Sequence, residues 1–181
     1  RYGPQVAVPR ILETYRRLGI KQSFFIPGWC IETYPGAVEA ILTGGHEIGH
    51  HGYLHEDPID TLDQRGWFEK ALAAHQKYCG RTPVGYRAPV YNINQEVVEL
   101  LIEHGFRYDS SMMADDIPYR LETVQGGLWE MPVHWGTDDW PPFAHFAEIG
   151  YMMPVKAPST GLSAFWEEFD AAYEAGGFFM L

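Results

Sequence analysis

Gly44-Gly45-His46-Glu47-Ile48-Gly49-His50-His51-Gly52-Tyr53-Leu54-His55 gathers four of the chain's eight histidines and a glutamate into one short segment. Neutral imidazole is the commonest protein ligand for a divalent metal, and two imidazoles four residues apart can converge on one ion if the backbone between them turns. Two pairs compete. His46-Glu47-Ile48-Gly49-His50 fits the H-E-x-x-H pattern of zinc peptidases, which needs a helix to bring both histidines to one face. The local residues oppose a helix: Gly44 and Gly45 precede it, Gly49 lies inside, and each interior glycine costs roughly 1 kcal/mol relative to alanine. The longer H-E-x-x-H-x-x-G-x-x-H pattern also fails, because Tyr53 and Glu56 stand where glycine and histidine are required. The alternative pairs His51 with His55 just past a short strand over 46–50, with His46 and Glu47 left as strand or supporting residues. That pairing is the expectation, against a solvated histidine-rich loop that binds nothing.

Outward from this segment, one arrangement recurs: an amphipathic helix, a glycine at its stop, then a short apolar run. Helices are expected over about 8–18, 33–43, 61–79, 94–104 and 161–175, stopping at Gly19, Gly44-Gly45, Gly80, Gly105 and Gly176-Gly177. Glycine just past a helix end takes the left-handed conformation that terminates it. Strands are expected over 20–26, 46–50, 84–86, 106–108, 128–133 and 178–181. Helices alternating with short strands imply parallel β-α-β units and an α/β fold, whose sites form at the carboxyl ends of strands. At those ends stand Pro27-Gly28-Trp29, His51 and His55, Arg87-Ala88-Pro89, Asp109-Ser110-Ser111, and His134-Trp135 with Asp138-Asp139-Trp140.

Length and charge bound the rest. A chain of 181 residues is long enough for one core, and a single domain over 1–181 is expected. A formal charge of −11 argues against nucleic acid and anionic lipid, which need clustered Lys and Arg. No apolar run approaches the roughly 20 residues of a membrane span. Cys30 and Cys79 make no disulfide framework and lack C-x-x-C spacing, so both are expected as partly buried thiols. The start at Arg1 and the apolar stop at Phe178–Leu181 suggest an excerpt of a longer domain. A cytoplasmic setting is the expectation, and the sequence leaves room for a homo-oligomer.

The order of these segments resembles the polysaccharide deacetylases, the NodB-like domains of carbohydrate esterase family four. The stretches that carry the resemblance are Gly19–Gly28, His46–Glu56, Gly85-Tyr86-Arg87-Ala88-Pro89, Gly105–Ser111 and Asp138-Asp139-Trp140-Pro141, which together run across nearly the whole chain. The last two look most like the branch of peptidoglycan deacetylases and cyclic imidase or allantoinase-like enzymes. Gly52, where many members carry threonine or serine, fits that branch. The resemblance implies a distorted (β/α) barrel, here lacking its first strand, with one divalent metal, usually Zn²⁺. It implies hydrolysis of a C–N amide bond, by preference deacetylation of N-acetyl sugars in a polysaccharide or peptidoglycan. A small cyclic amide is the alternative substrate, and a metal-lacking carbohydrate-binding relative the alternative class.

Carried over, the metal ligands are His51 and His55, and Arg87 is the residue that orients the catalytic base. Asp109 matches a further active-site aspartate, with Asp138 or Asp139 as rivals and a turn cap as the bland alternative. The third ligand, the base and the acid would lie outside these residues; Glu47 or Asp57 as an internal third ligand is the less favoured source. Trp29, Pro89 and Trp140 are candidates for binding substrate, with Trp135 beside them, against plain core packing. His75 is expected as a packed or capping histidine, His104 as one favouring a helix end, and Asp115 and Asp116 as loop solvation.

Overall fold

The helix stops are where the glycines place them. In this computed structural model, which describes residues 2–181 (the side chain of residue 149 excepted), α1 (Val8–Leu18) ends at Gly19 with φ +69°. β1 (Ser23–Ile26) leads into α2 (Gly28–Thr33) and α3 (Pro35–Thr43), and then β2 (Glu47–His50). α4 (Gln64–Cys79) starts at Asp63, whose carboxylate accepts from the Gly66 amide at 2.9 Å, and stops at Gly80 with φ +70°. β3 (Gly85–Tyr86) precedes α5 (Gln95–Glu103), capped by Asn94 through the Val97 amide at 3.1 Å, and β4 (Tyr108–Asp109) follows. β5 (Tyr119–Thr123) and β6 (Gly126–Glu130) form a hairpin, followed by α6 (Trp140–Phe143) and α7 (Pro158–Ala175).

Three expectations need correction. The helix placed over 33–43 forms as α3 from Pro35, and a separate short helix, α2, precedes it that was not expected; Pro35 keeps Tyr34 between them out of helical geometry (φ −128°, ψ 55°). The hairpin strand β5 was not expected. Residues 178–181 form no strand, since no described strand supplies them with a ladder.

The strands form one six-stranded sheet in the order β1-β2-β3-β4-β6-β5, with β1 to β4 parallel. The sheet is open, an α/β arrangement of the distorted-barrel type. The chain divides into two compact units: the first runs through Ser111 and resumes over Arg120–Trp129, and the second comprises Met112–Tyr119 and Glu130–Leu181. In the second, Gly161 of α7 leaves room for the Phe143 ring of α6.

In the first unit the register Ser23↔Glu47, Ile26↔His50, His50↔Tyr86 and Gly85↔Tyr108 sorts side chains onto two faces. One face carries Ile48, which joins Ile31, Val38, Ile41 and Ala74 in the buried core against the helices. Each of the buried isoleucine and valine side chains contributes about 1.5–3 kcal/mol. The other face carries Phe25, Glu47, Gly49, Gly85 and Tyr108. The Tyr108 ring crosses directly over Gly85, and its hydroxyl donates to Glu47 at 2.9 Å; Ser23 donates to the same carboxylate. A Cβ on Gly49 would stand 2.6 Å from the Phe25 ring. Both glycines are therefore required by close ring approach, and overpacking of this kind costs about 1–3 kcal/mol.

Beneath the sheet lies a buried pair of histidines. His50 stacks on His75 with centroids 5.7 Å apart, among Phe68, Tyr86 and Phe106. Burial pushes His75 down to about 4, and burial with the neighbouring His75 pushes His50 down to about 3. An unfolded histidine titrates near 6.5, so between about 6.5 and 4 the unfolded chain binds more protons than the folded one. The stability that His75 contributes while neutral is complete above about pH 6.5 and is lost as pH falls towards 4, on the order of 3 kcal/mol. Urea unfolding midpoints should drop steadily between pH 7 and pH 4. A flat profile over that interval would contradict the burial argument.

Candidate active site

His46-Glu47-Ile48-Gly49-His50 lies in and just before a strand, which disposes of the peptidase pattern. Strand rise of about 3.3 Å per residue holds positions 46 and 50 roughly 13 Å apart. Both rings are also committed elsewhere. His46 Nδ1 accepts from the Gln22 amide at 3.2 Å. His50 donates from Nε2 to the Phe68 carbonyl at 3.1 Å and accepts at Nδ1 from the Gly52 amide at 3.3 Å, so neither of its nitrogens is free for a metal.

His51 and His55 are arranged differently. His51 follows the last residue of β2, and its Nδ1–H donates to the Arg87 carbonyl at 2.7 Å. That bond fixes the ring and leaves the Nε2 lone pair available. Burial pushes His51 down to about 4, partly opposed by the Arg87 carbonyl and helped by the neighbouring His55 and Arg87 charges, so the imidazole is neutral at pH 7. The two rings approach to 4.9 Å between centroids at 73°. The intervening loop is not helical: Gly52 has φ +68° and His55 itself φ +65°, left-handed conformations that bring position 55 back towards position 51.

This loop is pinned from both sides. The first amides of α2 take its carbonyls, Gly28 to Gly52 and Trp29 to Tyr53, each at 2.9 Å. The Glu56 carboxylate takes its amides, Tyr53 at 2.8 Å and Leu54 at 2.5 Å. The Tyr53 hydroxyl donates to Glu32 at 2.7 Å.

Arg87 and the Asp109-Ser110-Ser111 run meet one strand further along. The Arg87 guanidinium donates from Nε to the Ser110 carbonyl at 2.9 Å and from Nη2 to Ser110 Oγ at 2.8 Å, and lies 4.7 Å over the Phe25 ring. Asp109 has no exposed surface. One of its oxygens accepts from Ser111 Oγ at 2.7 Å, and Ser111 Oγ in turn accepts the Ala88 amide at 2.8 Å, so the aspartate braces the Arg87-Ala88-Pro89 turn. Pro89 is buried, 3.3 Å from where a Cβ on Gly52 would stand.

Trp29 is half exposed at the head of α2, edge-on to Tyr34. Trp140 belongs to the second unit, where it packs on Tyr151, and Trp135, Asp138 and Asp139 lie in that unit too. His75 is packed, as expected, and His104 caps the carboxyl end of α5. Cys30 and Cys79 are half-buried free thiols.

Among the described residues, no group of three or more His, Cys, Asp and Glu side chains could hold a metal. Neither internal third-ligand candidate joins the pair. Glu47 is taken by Ser23 and Tyr108 at the start of β2, and Asp57 by the Asn92 amide group at 2.5 Å and the Ile59 amide at 3.0 Å. The histidine pair itself does fit a metal: two imidazoles close together, His51 neutral and with its second nitrogen anchored to a carbonyl in the manner of metal-binding histidines. Sequence reasoning missed Glu56 and Ser111 as supports. The signal lay in residues 53 and 54, whose amides need acceptors in a loop without a ladder.

The polysaccharide deacetylase profile matches residues 2–108. The chain belongs to that family. The peptidoglycan deacetylase of Helicobacter pylori (strain ATCC 700392 / 26695) is 29% identical to this deacetylase-family chain over 198 residues, covering 95% of it and 68% of the relative. A Mycobacterium smegmatis protein of known structure, assigned as a polysaccharide deacetylase, superposes with a TM-score of 0.92 at 36% identity, over 97% of this chain and 62% of that one. The Puue allantoinase shares the fold, with a TM-score of 0.82 at 24% identity over 97% of this chain and 57% of its own. The family chain thus spans less than two thirds of either solved relative. Among its described residues no helix is long and apolar enough to cross a membrane.

Proposed function

We propose that this chain carries the imidazole half of the metal site of a divalent-metal-dependent deacetylase that removes N-acetyl groups from peptidoglycan or a related polysaccharide. The observation that carries it is the His51–His55 pair, with His51 Nδ1–H anchored on the Arg87 carbonyl and Nε2 left to bind. Imidazole donors suit zinc, and the H. pylori relative is named a peptidoglycan deacetylase. Among the described residues no carboxylate joins the pair, so the two imidazoles are the part of the site that this chain shows. When bound, the ion supplies Lewis acidity towards the acetyl carbonyl and makes water a usable nucleophile near neutrality.

The chain's own residues supply position. His51 and His55 hold the ion. Arg87, fixed on Ser110 and Phe25, presents its guanidinium beside His51 to orient the base. Asp109 acts through Ser111, keeping the Ala88 amide and hence the Arg87 turn in place. Trp29 borders the histidine loop and offers its half-exposed ring to a sugar, while buried Pro89 packs beneath the loop at Gly52. Both compact units serve one catalytic domain, an assignment supported by the M. smegmatis structure spanning both.

The test is a substrate panel on the full-length protein, with and without chelator. Acetate release from N-acetylglucosamine oligomers, abolished by chelator and restored by Zn²⁺, is the expected result. Turnover of hydantoin, succinimide or allantoin without acetate release would replace this reading by a ring-opening amidase. Oligosaccharide binding without any turnover would replace it by a binding module.

A further inference from the structure

The histidine loop must solve a problem that a helix would solve for free: presenting residues 51 and 55 to one point with a backbone that makes no ladder. Its carbonyls at 52 and 53 are held by main-chain amides of α2, which no substitution short of proline removes. Its amides at 53 and 54 are held by one side chain, Glu56, whose two oxygens accept from Tyr53 at 2.8 and 3.1 Å and from Leu54 at 2.5 Å. The carboxylate reaches back over Gly52 and sits 2.9 Å from where a Cβ at that position would be. Glu56 follows directly on His55, whose φ of +65° a histidine keeps only when its surroundings over-determine it.

Resting on the metal reading above, we propose that Glu56 is a positioning residue for metal capture: by clamping the Tyr53 and Leu54 amides it holds the His55 imidazole turned towards His51 before the ion arrives. Glu56 is not assigned as a ligand, since among the described residues no third His, Cys, Asp or Glu is placed with the pair to hold a metal. Gly52 takes part by leaving the space that the carboxylate fills. Without the clamp the loop amides turn to water, His55 relaxes from its left-handed conformation, and the ion must reorder the loop as it binds.

The experiment measures Zn²⁺ affinity of the full-length protein by competition with a chromophoric chelator, and the visible spectrum of the Co²⁺ form as a report on coordination geometry. Four proteins are compared: wild type, E56A, E56Q, and the H51A/H55A double variant. E56A is expected to bind Zn²⁺ about 10–100-fold more weakly, the loss usual for a group that orients a ligand, with an altered Co²⁺ spectrum. E56Q keeps one acceptor oxygen and should fall between E56A and wild type. The metal-free melting profile separates positioning from folding: E56A that melts lower but binds Zn²⁺ as wild type does overturns the proposal. Should E56A not fold, E56Q decides alone, and wild-type affinity and spectrum in that variant overturn it. If H51A/H55A binds Zn²⁺ as tightly as wild type, the metal reading itself fails and this inference falls with it. If the double variant loses zinc while E56A and E56Q keep it, only the role of Glu56 is refuted.

Discussion

Full-length protein in which His51 and His55 are both alanine should emerge without bound zinc and without turnover. His51 is neutral at pH 7 and the two rings stand 4.9 Å apart, so removing both deletes the nitrogen donors together. A supporting group beyond the ligands costs 10–100-fold in metal affinity, and loss of the ligands themselves must exceed that; a drop of more than about 100-fold in Zn²⁺ affinity is expected. Metal content by mass spectrometry and acetate release from N-acetylglucosamine oligomers check the two halves separately. The control is His46→Gln, which alters a histidine of the same segment whose ring serves the Gln22 amide; it should keep both zinc and activity. Zinc content that survives in the double variant, or that disappears in His46→Gln, would remove the basis of the assignment.

The discrimination between the two histidine pairs was available from sequence because it depends on local backbone chemistry. Gly44, Gly45 and Gly49 oppose a helix, and a strand cannot bring positions 46 and 50 together. The helix stops at Gly19, Gly80, Gly105 and Gly176 were legible for the same reason, each glycine taking a positive φ. What escaped either carried no local signal or was set by partners distant in sequence. β5, Tyr-Arg-Leu-Glu-Thr, has a mixed polar composition and is joined to β6 by Val124-Gln125, which carries none of the Asn-Gly or Asp-Gly chemistry of short hairpins. Residues 178–181 have the composition of a strand, yet composition does not supply a neighbour. The third-ligand candidates failed for a comparable reason: Glu47 has the right chemistry, but Tyr108 reaches it across Gly85, a contact between three strands that no spacing announces. Asp109 was expected as an active-site aspartate with a turn cap as the alternative; its complete burial and its bond to Ser111 show it bracing the turn.

Arg87→Lys should lower kcat by about 100-fold while leaving zinc bound. The guanidinium makes two directed bonds to Ser110, through Nε at 2.9 Å and Nη2 at 2.8 Å, and stands 4.7 Å from the centre of the Phe25 ring. An ammonium group keeps the charge but reproduces neither the planar fork nor the ring contact, so the substitution is not conservative here. A displacement of about 1 Å in a positioning group can cost on the order of 100-fold in rate. Zinc affinity, by contrast, depends on the residue's main chain: the Arg87 carbonyl anchors His51 Nδ1–H at 2.7 Å, and lysine retains that carbonyl. The loss should therefore fall on kcat, with KM and zinc affinity changed little. Steady-state kinetics at saturating Zn²⁺, paired with the chelator competition, separate the cases. Unchanged kcat would show that the guanidinium orients nothing that reacts. Zinc lost in parallel with kcat would show instead that the side chain holds the turn, and with it His51, so that the two functions of position 87 are one.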